Sequence, residues 1–209
     1  ANGFELKSGH TIHIACDTTE MEPVVKSALK MLVNDFQAVL SSDVCIGKEG
    51  NIIINKDTTL LDKRKEAFQL KVSDDQLYVT GSDAHGVAYG ILEISRLIGV
   101  SPWEWWADVM PLKRSSFSLA NGYVNLQAPS VEFRGIFIND EDWGLMPWSS
   151  LHYEPWHKPG RIGPKTNARI FELMLRLRAN TYWPAMHECT QPFFLTQGNR
   201  EVAEQYGIY

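Results

Sequence analysis

The 209 residues carry 20 Lys and Arg against 25 Asp and Glu, a net charge of -5. A phosphate-binding surface needs concentrated basic side chains, so the balance excludes nucleic acid as a main partner and gives no electrostatic reason to dock on an anionic membrane. Hydrophobic residues at 44% and charged residues at 22% are ordinary for a globular protein of one or two domains, and no run of about eighteen apolar residues is present to span a bilayer. Cys16, Cys45 and Cys189 show no C-x-x-C spacing, which argues against zinc. Their odd number fits no complete disulfide framework, so free, buried thiols are expected. The chain opens Ala-Asn-Gly-Phe without a basic-then-apolar leader; either it never had a signal peptide or one has been removed.

In chain order, residues 11–16 alternate and are β-branched, which predicts a strand. Asp17, Thr18 and Thr19 offer helix caps, and Glu20 and Glu22 suit a helix N-terminus. Val25, Leu29, Leu32, Val33, Phe36 and Leu40 then recur at spacings of three and four, an amphipathic helix over 24–40. Residues 51–55 hold three consecutive isoleucines and read as a buried strand. Residues 67–72 and 76–80 alternate on either side of Ser73-Asp74-Asp75, a hairpin. Residues 83–98 form a second helix, with Val87, Ile91, Ile94 and Ile98 on one face and Gly99 closing it. This order predicts a small α/β sandwich. Residues 111–129 read as a connector with one further strand, and the domain boundary is placed near Pro129, giving domains 1–128 and 129–209.

A second pattern begins there. Residues 131–138 predict a strand; 139–159 are rich in Trp, Pro and His without periodicity. Pro164 suits the first turn of a helix, Ile170, Phe171, Met174, Leu175 and Leu177 define its apolar face, and Asn180 suits its C-terminus. Thr181 to Trp183 starts another strand that Pro184 stops. Residues 201–206 read as the end of a helix, and Gly207-Ile208-Tyr209 has the look of a strand beginning. Strand, loop, helix, strand is the grammar of a parallel α/β unit. An eight-stranded (β/α)8 barrel needs about 250 residues, so residues 129–209 can hold only its start.

The sharpest local feature is Asn139-Asp140-Glu141-Asp142 directly after a predicted strand. Barrel enzymes keep catalytic groups at the carboxyl ends of their strands. Glycoside cleavage needs one carboxylic acid to protonate the leaving oxygen and one carboxylate to activate water or attack, and crowded like charges raise at least one pKa. The plainer reading of the same run is a solvated acidic loop or a helix cap. Trp183 and His187 follow the next strand and would open onto the same face, although a lone His is usually structural. His152 and His157 share the long loop with Trp148 and Trp156. Of the seven tryptophans, Trp103, Trp105 and Trp106 read as core or interface packing. Trp143, Trp148, Trp156 and Trp183 sit beside polar residues, where sugar stacking is an equal reading. Gly81, Gly86 and Gly90 form no dinucleotide fingerprint. With no metal-spaced His/Cys set either, no cofactor and no metal are expected.

Phe133-Arg134-Gly135-Ile136-Phe137-Ile138-Asn139-Asp140-Glu141-Asp142-Trp143-Gly144-Leu145 resembles the opening of the catalytic barrel in glycoside hydrolase family 115. So do Ile162-Gly163-Pro164-Lys165-Thr166, the stretch 171–180 and Trp183-Pro184-Ala185-Met186-His187-Glu188; stretches 90–95 and 101–108 are similar in the first domain. The resemblance implies an accessory α/β sandwich of the kind shared with hexosaminidases, followed by the first βα units of a TIM barrel. It implies an inverting α-glucuronidase that removes α-1,2-linked glucuronic acid, or its 4-O-methyl form, from xylan. Asp140 and Glu141 are then the candidate catalytic carboxylates, and Asn139, Asp142, Trp183 and His187 the candidate substrate-binding residues. The implied partner is xylan or a glucurono-xylooligosaccharide, with no membrane insertion, a homodimer open for the full-length protein, and a periplasmic or extracellular location. Two other readings are a non-catalytic carbohydrate-binding or interaction module and a hexosaminidase-like glycosidase. A pure binding module has no reason to end in the acidic run followed by another α/β unit. A hexosaminidase would carry an adjacent Asp-Glu pair on a later strand. Full-length family members continue through more barrel strands, a helical region and a C-terminal β domain. The purified 209-residue chain is therefore expected to release no 4-O-methylglucuronic acid from glucuronoxylan; chromatography of the digest checks this.

Overall fold

A computed structural model describes residues 3–209. The chain divides into two compact units, Ala1–Glu132 and Phe133–Tyr209. The first is built on a six-stranded sheet of β2 (Ile12–Ala15), β3 (Val44–Gly47), β4 (Ile52–Lys56), β5 (Phe68–Ser73), β6 (Gln76–Gly81) and β8 (Val124–Gln127), in the order β3-β2-β4-β6-β5-β8. The strands β3, β2, β4 and β6 run parallel, and β5 is antiparallel to both its neighbours. Alternation puts Ile12, Ile14, Ile52, Ile54, Phe68, Leu70, Val72, Leu77 and Val79 in the core. Of the three isoleucines in β4 only Ile52 and Ile54 are buried, because Ile53 points to the opposite face. Asp74 and Asp75 both sit at positive φ (51° and 61°), the geometry that joins β5 to β6 in a two-residue hairpin turn.

Helices α1 (Pro23–Leu40) and α3 (Ala84–Leu97) pack against each other, and α3 lies on β4, β5 and β6. Between β4 and β5 there is one distorted turn, α2 (Leu60–Lys63), with Leu61 and Asp62 at positive φ. The expected cap of α1 is corrected: Asp17 instead accepts from the backbone N–H and the hydroxyl of Thr19, and the helix opens at Glu22 with Pro23 in its first turn. In α3, Asp83 does cap, accepting from Gly86 N–H at 2.8 Å while its other oxygen accepts from Glu66 N–H at 2.9 Å. Gly99 closes the helix at φ 103°, a conformation that costs a Cβ-bearing residue energy.

Three strands escaped the sequence reading. β1 (Gly3–Lys7) and β7 (Ser116–Ala120) form a separate antiparallel ladder that buries Phe4, Leu6 and Phe117, and β3 is a short edge strand. Residues 111–129 therefore hold two strands, β7 and β8, where one was expected. The thiols are free, as expected, but not buried. Cys45 is exposed on edge strand β3, and Cys16 lies just past the end of β2 at intermediate exposure, like Cys189.

In the second unit, β9 (Gly135–Phe137) and β10 (Thr181–Trp183) pair in parallel, with α5 (Pro164–Arg176) between them in sequence. The strand expected over 131–138 shortens to three residues because β10 offers only three partners. Just before it, the Asn180 side chain accepts from Arg134 N–H, so Asn180 locks the strand and not the helix end. The left-handed residue after α5 is Arg178, and Leu177 is exposed, not part of the apolar face. The core gathers Phe171, Tyr182, Phe193 and Tyr206, with ring centroids of Phe171 and Tyr182 5.2 Å apart. The loop 139–159 is partly helical: α4 (Leu145–Trp148) runs into a wide turn at Ser149–Tyr153. After α6 (Asn199–Gln205), Tyr209 exchanges backbone hydrogen bonds with β10, accepting from Tyr182 N–H and donating to Asn180 C=O, both at 2.8 Å. Phe36→Ala, at a fully buried position of α1, should cost about 3–5 kcal/mol, while Leu112→Ala, at an exposed position, should change stability by about 0.5 kcal/mol or less; urea unfolding midpoints check both.

Candidate functional site

Because β9 and β10 are parallel, the loops that follow them leave from the same edge. Phe137 and Trp183 are register partners with ring centroids 5.0 Å apart, and Ile138 N–H donates to Trp183 C=O at 2.9 Å. Residues 137–141 and 143–145 line an open depression of about 530 Å³ at this edge. Trp143, 90% exposed, and Trp183, 58% exposed, present bare aromatic faces nearby, the kind of surface that covers apolar area while keeping a polar tip.

The three carboxylates do not share one environment, which corrects the expectation of a crowded acidic cluster. Asp140 is only 7% exposed: one oxygen accepts from Met146 N–H in the first turn of α4, and the other is buried without a hydrogen-bond partner. Glu141 is exposed and accepts from the Asn139 side-chain amide at 3.3 Å. Asp142 sits at φ 73°, and the Cys189 thiol is held above its usual pKa range by desolvation first and by Asp142 second. Behind the loop lies Tyr182, whose phenol is pushed well above its usual range, first by burial and then by the charge of Asp140.

After β10, His187 is exposed and its Nδ1 lies 3.1 Å from Cys189 Sγ. The structure thus brings Asn139, Asp140, Glu141 and Asp142 to the end of β9, sets Trp183 beside Phe137, and places His187 against Cys189. The other aromatic candidates divide. Trp156 is exposed, whereas Trp148 stacks on Tyr153 at 5.0 Å, its ring occupied within the fold. His157 packs edge-on against Trp156 and its Nε2 lies 3.4 Å from Gln197 C=O. Among the described residues no group of three His, Cys, Asp or Glu could hold a metal.

Glu154 was missed. Its side chain is fully buried and accepts from Lys165 N–H and Thr166 N–H at 3.0 Å each and from the Thr166 hydroxyl at 2.9 Å. It satisfies the orphan amides at the N-terminus of α5 from ten residues upstream, with the negative charge at the favourable helix end. The carboxylate fills the space where a side chain on Gly163 would stand. One faint signal was present: Gly163-Pro164-Lys165 opens a helix with no cap residue of its own, so the cap had to come from elsewhere.

Two solved structures share the fold at low identity. An exo-β-N-acetylglucosaminidase of family GH20 from Vibrio harveyi is 16% identical with a TM-score of 0.60, matching 100% of this chain and 33% of that one. A GH138 enzyme targeting pectin rhamnogalacturonan II is 18% identical with a TM-score of 0.58, matching 96% and 30%. At such identities the likeness concerns architecture alone, and it is an architecture that glycoside hydrolases use. Residues 126–209 match the model of glycosyl hydrolase family 115. A family GH115 4-O-methyl-α-glucuronidase with specificity for decorated arabinogalactans is 58% identical with a TM-score of 0.93 over 99% of this chain. The chain belongs to glycosyl hydrolase family 115, and it spans 29% of the length of that relative. A search among curated proteins found no match.

Glu154→Ala should leave the backbone amides of Lys165 and Thr166 without their acceptor, while the Thr166 hydroxyl keeps its contact with Ser149, and should destabilise the second unit by about 1–3 kcal/mol. Lowered protection of the amides of α5 in hydrogen exchange, with those of α1 unchanged, checks it.

Proposed function

We propose that this chain is the amino-terminal part of an inverting α-glucuronidase that removes α-1,2-linked glucuronic acid, or its 4-O-methyl form, from a plant polysaccharide. The observation that carries the reading is 58% identity over 99% of the chain to a 4-O-methyl-α-glucuronidase. The second unit is read as the first βα units of a (β/α)8 barrel. Supporting this are the parallel β9–β10 pair, the intervening α5, and the backbone pairing of Tyr209 on β10. The candidate residues then stand at the carboxyl ends of barrel strands, where such enzymes work.

An inverting enzyme needs one carboxylic acid to protonate the leaving oxygen and a second carboxylate, about 6.5–9.5 Å away, to activate water. Asp140 and Glu141 are the proposed catalytic carboxylates of this part. Glu141 faces solvent and can reach a substrate directly; Asp140 holds the loop on α4 through one oxygen and keeps the other unengaged. Asn139 and Asp142 would bind sugar hydroxyls, Trp183 would stack on a ring, and His187 would meet the uronate carboxylate. Xylan was the substrate implied by the sequence; the specificity of the relative sets decorated arabinogalactan beside it. A polymer of that size is met outside the cytoplasm, so the proposed location is periplasmic or extracellular.

The test uses a protein spanning the full length of the family. It should release the uronic acid from glucuronoxylan or from glucuronic-acid-decorated arabinogalactan, and failure on both would overturn the reading. Asp140→Asn should lower kcat by about 10²–10⁴-fold with the fold intact. Near-wild-type turnover there with a large loss in Glu141→Gln would move the role one residue along, and full turnover in both would make the acidic run structural. Trp183→Ala should act mainly on KM, the signature of binding ground and transition states equally.

A further inference from the structure

We propose that Glu154 is a positioning residue for Asp140. It fastens the segment 145–153 to the first turn of α5, and that segment carries the backbone N–H that holds the Asp140 carboxylate.

The segment cannot set its own place. It consists of the four residues of α4, with Pro147 among them, and the five of the wide turn Ser149–Tyr153, and a helix so short is marginal by itself. Tertiary anchors fix it instead, and they gather toward its C-terminal end. Glu154 N–H donates to Ser149 C=O at 2.7 Å, while the Glu154 carboxylate accepts from Lys165 N–H, Thr166 N–H and the Thr166 hydroxyl. Ser149, fully buried, pairs its hydroxyl with that of Thr166 at 2.6 Å. Arg169 Nε donates to the Tyr153 hydroxyl at 3.3 Å, and Lys165 Nζ stands 4.5 Å from the centre of the Tyr153 ring. Every one of these anchors belongs to α5, which itself packs through Phe171 on Tyr182 of β10.

The other end of the segment meets the candidate site. Met146 N–H donates to one oxygen of Asp140, and Ser150 Oγ donates to Met146 C=O at 2.9 Å, so the anchored turn and the donor form one unit. With one oxygen held, the second oxygen of Asp140 is fixed in direction, and it is the oxygen that has no hydrogen-bond partner. Placement thus runs from β10 through α5 and Glu154 to Met146, and from there to Asp140. Glu154 is fully buried, so its part is placement and not contact with substrate. The catalytic consequence rests on the glucuronidase reading; the anchoring does not.

Two variants loosen the anchor without emptying it. Glu154→Gln keeps the shape but turns one acceptor oxygen into an NH2 group that faces a donor. Ser149→Ala removes the hydroxyl pairing alone and leaves the cap of α5 in place. In a protein spanning the full length of the family, each should speed hydrogen exchange in the peptide 145–149 while α1 stays protected. Each should also lower kcat by about 10–100-fold with KM little changed, the cost of a misplaced reacting group. On an Asp140→Asn background each should cost nothing further, because a residue that acts through Asp140 then has nothing left to position. Equal losses on the two backgrounds overturn the proposal, since the anchor would then act independently of Asp140. Wild-type exchange in 145–149, or wild-type turnover, in a folded variant overturns it as well. Where Glu154→Gln does not fold, Ser149→Ala carries the test. A full-length protein that releases no uronic acid sinks the glucuronidase reading alone, and the exchange comparison then decides the anchoring: faster exchange in 145–149 supports it and unchanged exchange overturns it.

Discussion

The candidate site depends on the parallel pairing of two three-residue strands. Thr181↔Gly135, Tyr182↔Ile136 and Trp183↔Phe137 set the register, and at Gly135 the backbone of Thr181 stands where a side chain would have to go. Only glycine permits that approach. Parallel strands need a crossover, which here contains α5, and they release their following loops at one edge. One backbone register thereby sets the acidic residues after β9 beside Trp183, and with them His187 and Cys189.

Carboxylates are used here first as structure. Asp83 caps α3, Asp140 accepts from the first turn of α4, and Glu154 satisfies the first turn of α5. Each meets backbone donors that the helix cannot pair internally, and each places negative charge at the positive end of the helix dipole. Only Asp83 immediately precedes its helix. Glu93, also buried, takes the guanidinium of Arg96 and the amide of Asn125; it belongs to the core of the first unit, where an unpaired charge would be costly. Asp140 differs from these in keeping one buried oxygen unpartnered, the feature that separates a loop-holding acid from a wholly satisfied one.

The elements with strong periodicity were legible. Helices α1 and α3, the β5–β6 hairpin and strand β10 stand within a residue or two of their expected ends, and α5 begins at Pro164 as expected but stops at Arg176, short of Asn180; burial of one face leaves a 3.6- or 2-residue repeat in the sequence. The misses have separate causes. β3 is an edge strand with none of its four residues buried, so no one-sided burial marks it, and β7 buries only Phe117. α4 is a single turn with a proline inside it, which periodicity cannot register. Asn180 was taken for a helix end because asparagine suits one, whereas its side chain serves the backbone of Arg134, 46 residues earlier.

The sequence by itself determined the α/β class, the main helices, the family and the composition of the acidic run, since these reside in local pattern and residue identity. Only the tertiary structure decided the strand order β3-β2-β4-β6-β5-β8, the burial of Asp140 beside the exposure of Glu141, the remote capping by Glu154 and the meeting of His187 with Cys189. The physical reason is that the environment of a carboxylate or a thiol is set by whichever chain segments cross near it. Three neighbouring acids of nearly the same chemistry acquire different surroundings once one side chain points into a helix terminus and another into water.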